Sequence, residues 1–274
     1  MLTLLPTRPS TRTTGMTRDE GVWVYAVTTA GSFPGGITGI RGVAGEELNT
    51  VTEGGFTSVV GTVALDTFGE QALRRNLEDL DWLSETARRH DAVVAAICAG
   101  GTTVPMRLAT VYYDEDRVRT MLRENAAELT DALEHITGRS EWGIRSYLDR
   151  RRADGDDTAE KERKTTGTAY LMERRARAAA QEETQSEAAR LADEIFAELG
   201  NLAVAAVRQP PSASGLSPRR ASEILNASYL VDNARVHEFT AAVESVDTRI
   251  DDVDTVITGP WPPYSFTAVG SSPR

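Results

Sequence analysis

Lysine is almost missing from this 274-residue chain: it stands only at Lys161 and Lys164, and arginine fills every other basic position. Acids outnumber bases, 41 against 30, for a formal net charge of -11. Such a surface repels phosphate backbones and anionic lipid, which excludes nucleic acid and bulk membrane as expected partners. Cysteine occurs once, at Cys98, so no internal disulfide framework exists and a reducing compartment is expected. No apolar run approaches the roughly 20 residues of a membrane span. Residues 1–20 lack the apolar core of a secretory signal and read as a disordered tail, with Met16 as an alternative start. The sum of these absences is the expectation of a soluble cytoplasmic protein.

Signatures of catalysis are also missing. The three histidines, His90, His135 and His237, form no HExxH pair and read as surface or helix-end residues. Asp154, Asp156 and Asp157 begin like a calcium loop, but Ala159 stands where glycine is required and Thr165 where the closing glutamate belongs. There is no phosphate-binding loop, no dinucleotide fingerprint and no nucleophile elbow. Cys98 lies in an Ala-rich apolar stretch and reads as buried packing. No cofactor, metal or catalytic set is expected, and hence no enzyme.

What is present is a legible succession of periods. Val22–Val27 is a continuous β-branched and aromatic run, a strand covered on both faces. Strand candidates follow at 47–52 and 56–63, joined by Gly54-Gly55 as a hairpin signal. From Gly69 the spacing turns helical through Leu73, Leu77, Leu80, Leu83 and Ala87, and a second apolar stretch, Ala92–Ala99, stops at Gly100-Gly101. Thr103–Leu108 reads as a short strand. Asp114 caps a helix striped by Val118, Met121, Leu122, Asn125, Leu129, Leu133 and Ile136, after which Trp142–Leu148 returns as a strand. Residues 21–149 thus form an N-terminal α+β layer related to the ferredoxin-like arrangement.

Residues 150–166 turn to charged and small side chains and read as a linker. A run free of Gly and Pro from Thr168 to Leu199 predicts one long helix, basic early (Arg174, Arg175, Arg177) and acidic later (Glu182, Glu183, Glu187, Asp193, Glu194, Glu198). That polarity opposes the helix dipole and calls for an antiparallel neighbour, within the chain or from a partner. The remainder, with the helix, makes a C-terminal α+β domain over 167–268. It closes on Thr258-Gly-Pro-Trp-Pro-Pro-Tyr-Ser-Phe266, too rich in proline for a helix or a central strand, and expected as a rigid aromatic turn.

That ending, with Leu225-Asn-Ala-Ser-Tyr-Leu-Val-Asp232, resembles the GvpL/GvpF family of gas vesicle proteins. The resemblance extends to Val22–Val27, His90-Asp-Ala-Val93, Val104-Pro-Met-Arg107 and Glu141-Trp-Gly-Ile144, in family order across Val22–Phe266. Where the family tends to have Phe-Gly, this chain has Leu108-Ala109. The resemblance implies two α+β domains, a coiled-coil-like helical element in the second, and a role in building the gas-filled vesicle. The partners it implies are the small hydrophobic shell protein and other gas vesicle accessory proteins. The expected contact residues are Leu171, Met172, Leu191 and Ile195 on the long helix, with Trp261 and Tyr264 in the aromatic turn. The second reading, from another class, is a small-molecule-binding regulator or enzyme on a ferredoxin-like scaffold.

Overall fold

The computed structural model of the chain describes residues 19–32, 39–149, 167–210, 221–250 and 252–267. The tail expected over residues 1–20 lies outside these except for its last two positions, and the linker expected over 150–166 lies outside altogether. The protein is α+β, with two antiparallel sheets. It divides into two compact units: the chain up to Gly101 with Met106–Ala126, and Thr102–Pro105 with Ala127 onward.

In the first unit the apolar run becomes β1 (Glu20–Thr29), buried from Gly21 to Thr28 as a strand covered on both faces must be. β1 pairs antiparallel with β3 (Phe56–Ala64), and β3 with β2 (Leu48–Glu53). The β2–β3 turn needs positive φ at both Gly54 and Gly55, 58° and 88°. Two short helices follow, α1 (Leu65–Phe68) and α2 (Glu70–Asn76), then α3 (Leu80–Ala99), whose start is fixed by the Asp79 carboxylate accepting from the amides of Asp81 and Trp82. β4 is Val104–Pro105, and β5 (Val111–Tyr112) pairs with β1. The stripe expected as one helix from Val118 to Ile136 is two, α4 (Glu115–Glu124) and α5 (Ala126–Ile136). The break is Asn125, whose side chain donates to the Met121 carbonyl at 2.8 Å and so competes with the backbone ladder.

The second unit holds, besides β4 and all of α5 but its first residue, β6 (Arg139–Asp149), α6 (Gly167–Gly200), β7 (Ala205–Arg208), β8 (Ala221–Asp232), α7 (Val236–Arg249) and β9 (Val253–Trp261). The sheet order is β7-β8-β6-β9, every neighbour antiparallel. This is the β-α-β-β-α-β ferredoxin-like arrangement. It corrects the sequence reading, which put that arrangement in residues 21–149. The strand at Trp142–Leu148 is the first strand of the second sheet, because its partners in the ladder, from Leu148–Ser222 to Gly143–Thr258, lie about 75–115 residues further on, beyond the reach of any local period. α6 and α7 cover one face: Ala192, Ile195 and Leu199 meet Phe239, Val243 and Tyr229 in a closed apolar cluster. Each large side chain fully buried there contributes roughly 1.5–3 kcal/mol.

Candidate functional site

The proline-rich ending occupies an edge of the second sheet, the position proline tolerates. Register places Thr258 beside Gly143, Gly143 beside Ser228, and Ser228 beside Val207, in one row on the face turned away from the helices. The next row on that face is Trp261, Glu141, Leu230 and Ala205. Gly143 makes room for the aromatic end, since a Cβ there would lie 2.7 Å from the Thr258 hydroxyl. That hydroxyl accepts from the Trp261 indole nitrogen at 3.1 Å. Gly259 stands at φ 126°, and a Cβ on it would come within 2.9 Å of the Glu141 carbonyl, so both glycines are required by close approach. The Gly259–Pro260 bond is cis.

Beyond Trp261 the chain turns at Pro262-Pro263 and folds into a short 3₁₀ turn, Tyr264–Phe266, closed by Phe266 N–H donating to the Pro263 carbonyl at 3.1 Å. It then crosses the sheet face turned away from the helices as a strap, where Glu141, Ser228 and Leu230 are buried. Ser265 donates its amide and its hydroxyl to the two oxygens of Glu141 on β6, at 2.9 and 2.6 Å. The Ser228 hydroxyl on β8 lies 3.2 Å from the Ser265 hydroxyl, and Gln209, just after β7, donates to it at 3.0 Å. Glu141 is thereby a buried carboxylate with hydrogen-bond donors on both oxygens. The result is a Trp261 ring 55% exposed but tethered by its nitrogen, its backbone and the strap.

The sequence-predicted contact residues separate sharply. Met172 and Trp261 are exposed, at 68% and 55%. Leu191 and Tyr264 are half-buried. Ile195 is fully buried and belongs to the core, so the helical stripe that nominated it faces the protein's own sheet. The side chain of Leu171 lies outside the described residues. Glu141, Gly143 and Ser265 lie in the motifs that carry the family resemblance but were not among the expected contact residues; a glycine inside the strand-like run Trp142–Leu148 was the available signal of close approach.

The first unit offers a cavity of about 300 Å³ lined by Leu65, Phe68, Leu73, Val111, Tyr112 and Tyr113. Its one carboxylate, Glu70, is held by Arg74 at 2.7 Å. Ala109 also lines it, at φ 65°, so alanine here adopts the left-handed backbone that a glycine would take without strain.

His90 is not the surface residue the sequence suggested. It is buried on α3, stacked on Tyr25 and edge-on to Trp23. Trp23 Nε1 donates to its Nδ1 at 3.0 Å, so Nε2 carries the proton and donates to the Met106 carbonyl at 2.9 Å. Burial lowers its pKa below 6.5, against smaller opposing effects of the Met106 carbonyl and Asp91. The Tyr25 hydroxyl donates to Glu46 and accepts from the Val43 amide; burial first, then Glu46, pushes its pKa far up. Cys98 is half-buried and not the buried residue expected. Among the described residues no group of three or more His, Cys, Asp or Glu is placed to hold a metal. No described helix is long and apolar enough to cross a membrane.

Fold and site together define an α+β protein with two antiparallel sheets, an exposed tryptophan at the edge of the second and a long helix exposed over its outer part. A family model described as "Gas vesicle synthesis protein GvpL/GvpF" matches residues 21–268. Gas vesicle protein L of Streptomyces sp. (strain CB03234) is 36% identical over 93% of this chain and 95% of its own length. Gas vesicle protein F of the same strain is 26% identical over 69% of this chain and 80% of its own. The crystal structure of gas vesicle protein GvpF from Anabaena sp. PCC7120 superposes with a TM-score of 0.64 at 19% identity, covering 93% of this chain and 99% of that one. The chain belongs to the GvpL/GvpF family of gas vesicle synthesis proteins.

Proposed function

We propose that the chain works in gas vesicle assembly by binding the small hydrophobic shell protein, with Trp261 at the centre of the contact. The observation that carries this is the immobilised, more than half-exposed indole: a large apolar ring held in the open has little conformational entropy left to lose on docking. Val207, 40% exposed on the same sheet face, extends the apolar surface, and Met172 on α6 offers a separate exposed apolar side chain. Other gas vesicle accessory proteins are further partners, and the vesicle wall in the cytoplasm is the place of action. The higher identity to protein L than to protein F of one organism supports an L-type role.

Saturable capture of the purified chain on immobilised shell protein tests the proposal. Replacing Trp261 with alanine is expected to weaken binding by about tenfold or more, the scale of an interface anchor, with an unchanged melting temperature. Equal binding by the variant and the parent chain removes Trp261 from the contact, and no binding by the folded parent overturns the proposal.

A further inference from the structure

α6 is 34 residues long, yet only its last third has a place in the core. From Met172 to Arg190 every described side chain is exposed except Thr184 and Ala188, which are half-buried. That stretch corresponds to about 28 Å of helix. A helix without a buried stripe draws little stability from its own fold. Arg174 is the eighth residue of the helix, beyond the first turn, so the dipole has little to do with its charges. What needs explaining is the order of the charges along an unpartnered rod.

Residues 173–177 carry three arginines and one glutamate, whereas 181–187 carry three glutamates and no base. Among the described residues no ion pair engages Arg174, Arg175, Glu182 or Glu183. The inner third behaves differently: Asp193 is met by Arg208 of β7 and Glu198 by Arg249 of α7, each at 2.5 Å. Cations within the unit thus serve the acids near the core and leave the outer acids unserved.

We propose that α6 pairs with α6 of a second copy of this chain, antiparallel, about a two-fold axis at Ala178–Ala179. Arg174 and Arg175 lie on average four residues before that point and Glu182 and Glu183 four residues after it, about 6 Å either way. An antiparallel copy therefore sets each arginine pair level with the other copy's glutamate pair. A parallel copy would set arginine on arginine and glutamate on glutamate. Ala176, Ala178, Ala179 and Ala180 are exposed where the rods would cross, and small side chains let two helices approach to about 8 Å, close enough for the long charged side chains to meet. The pairing rests on exposed charges, so it is sensitive to salt and concentration. It stands independently of the shell-protein contact.

Sedimentation velocity of the full chain tests it. At low ionic strength the mass is expected to approach twice 29.7 kDa as concentration rises, and to fall back to one chain in high salt. Arg174→Glu with Arg175→Glu, or Glu182→Arg with Glu183→Arg, is expected to give a monomer, and an equimolar mixture of the two variants a dimer. All four positions are exposed, so both variants retain the parent circular dichroism. Register is read by cross-linking in a Cys98→Ala background. Ala179→Cys is expected to link to its own counterpart under mild oxidant, whereas Met172→Cys, about 20 Å from its counterpart, does not. A chain monomeric at every concentration, a dimer indifferent to both charge reversals, or efficient linking through Met172→Cys would each overturn the proposal.

Discussion

Ser265 grips both oxygens of Glu141, one through its amide at 2.9 Å and one through its hydroxyl at 2.6 Å, across 124 residues of sequence. Hydrogen bonds to a charged group contribute about 1.5–3 kcal/mol. Glu141→Ala should therefore lower the unfolding free energy of the second unit by about that amount and speed amide exchange at residues 264–267. Glu141→Gln, which keeps one acceptor oxygen, should cost less. Urea denaturation with hydrogen exchange by mass spectrometry measures both.

The two α6 residues that sequence grouped together should behave oppositely. Ile195→Ala empties a core position and is expected to cost about 2–5 kcal/mol. Met172→Ala, at an exposed position, should stay within about 0.5 kcal/mol of the parent. Equal losses in denaturation would mean that the outer part of α6 is packed against something.

His90 makes the first unit acid-sensitive. Its pKa in the fold lies below 6.5, so the unfolded chain binds the proton more readily than the folded one. The stabilisation is complete above the unfolded value and is lost as pH falls through the folded value, with a slope approaching about 1.4 kcal/mol per pH unit between the two. Protonation would place an N–H on Nδ1 against the indole N–H of Trp23. In His90→Gln the unfolding free energy is expected to be lower at neutral pH and its acid dependence flatter. An unchanged slope would assign the acid response to other groups.

Ala109 offers a test in the stabilising direction. Its backbone at φ 65° costs an L-residue roughly 1–2 kcal/mol that glycine avoids, against roughly 0.4–1 kcal/mol of added chain entropy in the unfolded state. Ala109→Gly should therefore leave the melting temperature unchanged or raise it slightly, where alanine-to-glycine changes ordinarily lower it. Differential scanning calorimetry decides.

Much of this was legible in the residues. The buried β1 run, the Asp114 cap and the hairpin glycines follow from local chemistry and stand where expected. Leu108-Ala109, noted as the departure from Phe-Gly, marks the place where alanine holds a left-handed backbone. What local pattern could not supply was the identity of the surface each stripe meets. Ala192, Ile195 and Leu199 form a proper amphipathic face, but the period is the same whether that face meets its own sheet or another protein. β6 read as a strand, while its hydrogen-bond partners lay a hundred residues away. His90 has two charged neighbours in sequence, Arg89 and Asp91, and two aromatic ones in space, Trp23 and Tyr25.

The margins of the second sheet carry one more consequence. On one side stands β7, four residues long, and on the other β9 runs into Pro260, Pro262 and Pro263, which have no amide hydrogen to offer. A stray extended segment finds little on either side to zip onto. Copies of this protein brought to high concentration are therefore expected not to pair edge to edge through these two strands.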